Sequence, residues 1–221
     1  MKKKLLALSL ALAFTSTSSI LHAEASSNAG KEKAASCVSC HGEHGNSLVS
    51  TFPKLAGQHP SYFIKQLEAF KKGTRKNPMM NAIAAGLSYD DMTDIAAYYA
   101  EQEISANPLP VLDNDDDEGK PAEKKETIQD LIAQGSDLYR NGDLPREVSA
   151  CIACHGPFGE GSKPAAFPAI RSQHADYLIQ TLSDFKNDSR SNNPENMMHM
   201  IAKKMTIEEI KAVSYRISMM K

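Results

Sequence analysis

Cys37-Val38-Ser39-Cys40-His41-Gly42 and Cys151-Ile152-Ala153-Cys154-His155-Gly156 are two copies of one pattern, and together they use all four cysteines of a 221-residue chain. In one helical turn, residues i and i+3 share a face. Each Cys pair can therefore form thioethers to the two vinyl groups of a single haem while the adjacent His turns its imidazole to the iron. A tetrathiolate zinc site would need both pairs to converge and gives no reason for a His after each. A thioredoxin-like redox pair calls for a βαβ context that the chain lacks. Disulfides remain open for an exported protein, but a two-residue gap suits a clip better than a long staple.

Working outward, the segments after each motif also repeat. Phe167-Pro168 answers Phe52-Pro53, Gln173-His174 answers Gln58-His59, Tyr177 answers Tyr62, and Phe185-Lys186 answers Phe70-Lys71, all offset by 115. Asn193-Pro194 and Met197-Met198 answer Asn77-Pro78 and Met79-Met80 at offsets of 116 and 118, so the spacing grows only between elements. Two copies of one haem-binding unit explain the chain. Pro53 has no N–H but a free carbonyl. It reads either as the acceptor for the second ring nitrogen of His41 or as a turn proline.

The helical pattern is strong. Ser26–Ala35 leads into the first motif, Gly42 and Gly45 break the chain into a loop, and Pro60 opens a helix carrying Tyr62, Phe63, Gln66, Leu67 and Phe70 on one face until Gly73. Ser88 with Asp91, Thr127 with Asp130 and Thr206 with Glu209 are spaced as capping boxes. The helices they start run through Met92, Ile95, Ala96 and Tyr99, through Leu131, Ile132 and Leu138 to Asn141-Gly142, and through Ile210, Val213 and Ile217. On this pattern the pair Met79-Met80 lies in a loop between two helices, where a thioether can reach across to an iron. Neighbouring residues point apart, so one of the two ligates. The other histidines, His44, His59, His174 and His199, are scattered and read as structural or surface groups, for which a hydrogen bond to a haem propionate would be use enough.

Residues 1–25 read as a cleaved secretory signal: Lys2, Lys3 and Lys4 precede the apolar run Leu5–Phe14, and cleavage follows Ala23 or Ala25. No later run is long enough to span a membrane, although peripheral association is compatible with the sequence. A bacterial periplasm fits both the export signal and the haem attachment. The first unit then occupies 26–100 and the second 127–221. Between them, residues 101–126 carry 9 acidic and 3 basic side chains in a chain whose formal charge is only −2, so the acidity sits in a linker that reads as extended and solvated. No basic stripe speaks for nucleic acid.

The order C-x-x-C-H, F-P-x-L-A-G-Q, Y-x-x-x-Q-L, N-P-x-M and L-S-x-x-D in the first half resembles a class I cytochrome c domain. The tandem arrangement behind a signal resembles the dihaem cytochrome c4 family. The resemblance implies an all-α fold of two tandem class I cytochrome c domains joined by an acidic linker. It implies two covalently bound haem c groups, attached through Cys37 and Cys40 and through Cys151 and Cys154. It also implies iron ligation by His41 and Met80 in the first domain and by His155 and Met198 in the second, chosen over Met79 and Met197. The implied function is one-electron carriage in the periplasm between redox protein partners, a quinol-oxidising complex and terminal oxidases, by an electron-transfer protein rather than an enzyme. A dihaem peroxidase and an electron-accepting subunit of a dehydrogenase are the alternatives. Candidate methionines in both halves speak against the first. This chain departs from the pattern where Ile170-Arg171-Ser172 replaces Leu55-Ala56-Gly57, in a longer approach to Met198, and in a longer linker, which leaves open how tightly the domains pack.

Overall fold

The computed structural model describes residues 25–111 and 127–221. Residues 1–24 of the proposed signal and the run 113–118 lie outside the described residues. The first half contains α1 (Ser27–Lys33), α2 (Val38–His41), α3 (Pro60–Lys71), α4 (Pro78–Ala85) and α5 (Tyr89–Ala100). The second repeats the order with α6 (Ile128–Asn141), α7 (Ile152–His155), α8 (Ala175–Lys186), α9 (Met197–Ala202) and α10 (Ile207–Ser218). Among the described residues there is no β-strand, only two isolated bridges, Asp143 with Val148 and Ser162 with Phe167.

Local chemistry starts these helices where the sequence places them. Ser88, Thr127 and Thr206 each accept a hydrogen bond from the backbone N–H three residues on, and the Asp or Glu at that position bonds back to the cap's own N–H. Each box satisfies two N–H groups that the first helical turn leaves free. Pro60 and Pro78 occupy first-turn positions, where no N–H is needed. The faces expected to be apolar are inside: Phe63, Leu67, Phe70, Met92, Ile95 and Tyr99 form the first core, and Leu138, Leu178, Ile210, Val213 and Ile217 belong to the second.

The same helix pairs pack in each half. The first helix crosses the last, and the last packs on the middle helix, so α1 meets α5 as α6 meets α10. The crossings are close enough to require glycine. A Cβ on Gly30 would lie 1.9 Å from the Asp94 carbonyl oxygen, and one on Gly135 would lie 2.0 Å from that of Ala212.

One expectation changes and one open point closes. Met79 and Met80 lie in the first turn of α4 rather than in a loop, because Asn77 caps that helix by accepting from the Met80 N–H and Pro78 supplies a helix-ready φ at its first position. Nor are the halves loosely associated. The start of the linker is tied down: Asn107 donates to the carbonyls of Ser172, Gln173 and Ser218 at 2.8–3.1 Å, and Lys54 Nζ donates to Ser105 at 2.7 Å.

Candidate metal centres

Each Cys-x-x-Cys-His segment forms a single helical turn that ends at a glycine. Gly42 and Gly156 take φ of 80° and 75°, which turns the chain away immediately after the His. His41 and His155 are buried, and each ring Nδ1 donates to a proline carbonyl, Pro53 at 2.8 Å and Pro168 at 3.0 Å. The acceptor reading of Pro53 therefore holds, and its repeat partner does the same. With Nδ1 occupied, Nε2 is the ring nitrogen left for a metal. Burial pushes both imidazoles below the ordinary histidine range, with the proline carbonyls opposing, so both rings are neutral and in the form that binds iron.

No disulfide joins any two of the four cysteines. Before haem attachment, burial pushes the Cys37 thiol up and the Cys151 thiol to about 11, away from the low range of a reactive redox cysteine. Among the described residues no three His, Cys, Asp or Glu side chains gather as a metal cage, which disposes of a tetrathiolate zinc site. His44, His59, His174 and His199 make hydrogen bonds to protein groups instead.

Both motifs open onto one continuous cavity of about 700 Å³, lined by the two Cys pairs, both histidines and all four candidate methionines. Its walls are otherwise mainly aliphatic and aromatic. Met80 is half-buried and packs on the first core, whereas Met79 is 52% exposed. In the second half Met197 and Met198 are both half-buried. Here the cap separates them: Asn193 Oδ1 accepts from the Met198 N–H at 2.8 Å, as Asn77 Oδ1 does from Met80 at 3.0 Å. Paired thiols beside a neutral imidazole, in an apolar cavity that methionines also line, fit a covalently attached haem in each half.

The cavity is continuous because the halves bond to each other reciprocally. Gln58 donates to the Ala169 carbonyl at 2.8 Å and accepts from its N–H at 3.0 Å. Gln173 does the same to Lys54 at 2.9 and 2.8 Å. His59 Nε2 donates to the Glu160 carbonyl and His174 Nε2 to that of Ser47. Arg75 donates to the Tyr177 hydroxyl and Arg190 to the Tyr62 hydroxyl, at 3.0 and 3.1 Å. Each guanidinium also stacks on a phenyl ring of its own half, Arg75 on Phe70 and Arg190 on Phe185.

The two guanidiniums also converge on one amide oxygen, Gln66 Oε1, each at 3.0 Å. Although burial alone pushes the Tyr177 phenol up, the charges of Arg75 and Arg190 outweigh it and pull it down to about 8. The seam therefore gathers two positive charges around Gln66. The repeats Gln58/Gln173 and Tyr62/Tyr177 were visible in the sequence. Their joint role was not, because it depends on how the halves meet.

Comparison with known proteins decides between c-type folds. A family model described as cytochrome c matches residues 27–103 and 132–218. The cytochrome c4 of Azotobacter vinelandii is 38% identical over 97% of this chain and 97% of its own. The chain belongs to the cytochrome c4 family. The crystal structure of reduced recombinant cytochrome c4 from Pseudomonas stutzeri superposes with a TM-score of 0.79 at 34% identity, covering 90% of this chain and 100% of that one. A thiosulfate dehydrogenase electron acceptor of Thiomonas intermedia is 35% identical over 87% of this chain and 82% of its own. As a cytochrome c4 the chain carries two covalently bound haem c groups on its two Cys-x-x-Cys motifs. It is an electron-transfer protein rather than an enzyme. Among the described residues no helix is long and apolar enough to cross a membrane.

Proposed function

We propose that this cytochrome c4 is exported after removal of residues 1–25 and works in the bacterial periplasm. There it takes single electrons from a quinol-oxidising complex and passes them to terminal oxidases or other redox proteins, in solution or at the membrane surface. We assign Cys37, Cys40, Cys151 and Cys154 to haem attachment, and His41 with Met80 and His155 with Met198 to the axial positions, in domains spanning 26–100 and 127–221. The observation that carries this reading is the single cavity holding two matched sets of paired thiols, a carbonyl-oriented imidazole and a methionine.

When bound, each haem supplies a one-electron ferric/ferrous couple. The chain's own groups make that couple fast and well placed. Pro53 and Pro168 fix the imidazole planes and hold the Nδ1 proton, so the tautomer does not change with oxidation state. The apolar walls would exclude water, and Met80 and Met198, as thioether ligands, would raise the potential. The Gln58 and Gln173 amides hold the halves at one spacing, so an electron entering either site meets the other across the seam.

A second reading is favoured by the likeness to thiosulfate dehydrogenase electron acceptors: the same haem chemistry, serving a fixed dehydrogenase partner. Co-purification of the tagged chain with such an enzyme, in place of a respiratory complex, would select it. The ligand assignment is tested on the ferric protein. The sulfur-to-iron charge-transfer band loses half its intensity in Met80→Ala, half in Met198→Ala and all of it in the double variant. Full intensity in either single variant would move the ligand to Met79 or Met197. Two covalent haems should remain after acid–acetone extraction, and haem-free protein should be largely unfolded, because domains of this size bury too little surface alone.

A further inference from the structure

The two methionine helices are mounted differently. In the first half, Asn77-Pro78-Met79-Met80 runs straight into α4, with Asn77 Oδ1 accepting from the N–H three residues on. Asn81, next after Met80, fastens that turn three times: its Oδ1 accepts from the Asn77 N–H, and its Nδ2 donates to the carbonyls of Phe70 and Arg75.

In the second half, Glu195 and Asn196 are added between the proline and the methionine pair. The Asn193 cap still reaches the Met198 N–H, now five residues on. The two added residues are the ones that bend to allow it, with φ/ψ of 52°/23° and 56°/26°, the left-handed region. Asparagine tolerates that region, whereas glutamate lacks a side-chain reason to occupy it. The fastening is also thinner. His199 stands where Asn81 stood and makes one bond of this kind, Nδ1 to the Phe185 carbonyl. The Asn193 Nδ2 is buried without a partner, and α9 has 6 residues against 8 in α4.

We infer that the second haem site exchanges its methionine for a small neutral nitrogen base more readily than the first does. The inference rests on Met198 being the sixth ligand. Backbone strain persists only where surrounding contacts hold it. Here it lies in the segment that carries Met198, which the Asn193 and His199 bonds fasten, so that segment yields more easily as the thioether leaves. The Asn77 and Asn81 bonds resist the same movement of Met80. In the exchange the iron–sulfur bond to Met198 breaks and an iron–nitrogen bond forms, with no change of oxidation state and with the thioether leaving unprotonated. Because the thioether raises the potential, occupancy lowers the second potential and closes that half as an electron acceptor.

The experiment is an imidazole titration of the ferric dihaem protein, followed through the thioether charge-transfer band. The expected result is two phases of equal amplitude, the tighter one stronger by about tenfold or more. Removing Glu195 and Asn196, which restores the first-half register, should abolish the tight phase. Inserting Glu-Asn between Pro78 and Met79 should convert the weak phase into a second tight one. Should the deletion variant lose its haem or its helix content, His199→Asn decides, with a several-fold weaker tight phase expected. Equal phases in the native protein, no exchange at either iron, or a tight phase unmoved by these changes would overturn the inference. A thioether band accounting for only one haem before any imidazole is added would instead remove the assignment of Met198 itself.

Discussion

Gln58 pairs with both main-chain groups of residue 169 and Gln173 with both of residue 54, bond for bond, whereas the approaches to the methionines differ in length, backbone region and fastening. The Gln, His, Tyr and Arg pairs at the seam repeat, although Gln66, which takes bonds from both guanidiniums, is answered by Thr181. Residues facing away are freer. Gly57, at φ 68°, is matched by Ser172 at φ 51°, whose hydroxyl bonds to the Met220 carbonyl at 2.6 Å and so holds a conformation that glycine adopts without help. A duplicated unit is thus constrained most strongly where its copies meet. Its individuality collects at the loops.

The comparison can be broken first at the helix crossings. Gly30→Val and Gly135→Val each place a side chain against backbone, at a cost of about 3 kcal/mol to the half that carries it. Calorimetry should then resolve two transitions, the lower belonging to the altered half. A single transition at the native temperature would mean that the crossing opens freely.

Next comes the seam. Gln173 is buried and Gln58 half-buried, so Gln173→Ala should cost about 2 kcal/mol and Gln58→Ala about 1 kcal/mol, each leaving main-chain groups of the other half unpaired. Denaturant titration checks this. Equal losses would show that the two clamps match in energy as well as in bonding.

The smallest effect is electrostatic and lies on the surface. Lys33 ties α1 to α5 through Asp91 and Asp94 at 2.9 and 2.6 Å. The Ser88 hydroxyl and Lys33 hold the Asp91 carboxyl well below the usual range, and Lys33 with the Ser26 N–H lowers that of Asp94. Carboxyls with depressed folded values contribute stability above their unfolded pKa of about 4, and that contribution is lost as pH falls through the folded values. In the second half Arg146 instead ties Asp143 to Glu209, holding a loop to α10. Amide exchange in α1 should therefore speed up between pH 4 and 2, and Lys33→Met should flatten that rise without changing α10. An unchanged α1 profile in the variant would show that the pair carries nothing.

Much of this was legible in the chain. The attachment motifs, the three capping boxes and the apolar faces depend on residues within a few positions of one another, so spacing alone reveals them. Pro53 was legible as a possibility and needed the folded loop to bring its carbonyl to His41. The methionine segment was misread as loop because its two methionines drew attention away from Asn77 and Pro78, a cap followed by a first-turn proline. Gly30 and Gly135 went unnoticed, since nothing in their own segments says that another helix passes so close.

By itself, the sequence determined that there are two haem-binding units, where the three capping-box helices begin, and which thiols share one face of a turn, because those properties follow from short-range periodicity and side-chain chemistry. Only the tertiary structure decided that the units share one cavity, that Arg75 and Arg190 converge on Gln66, and that the second methionine hangs from a strained insertion. These depend on groups roughly a hundred residues apart, or on backbone angles set by what a segment must reach, and no local pattern encodes either.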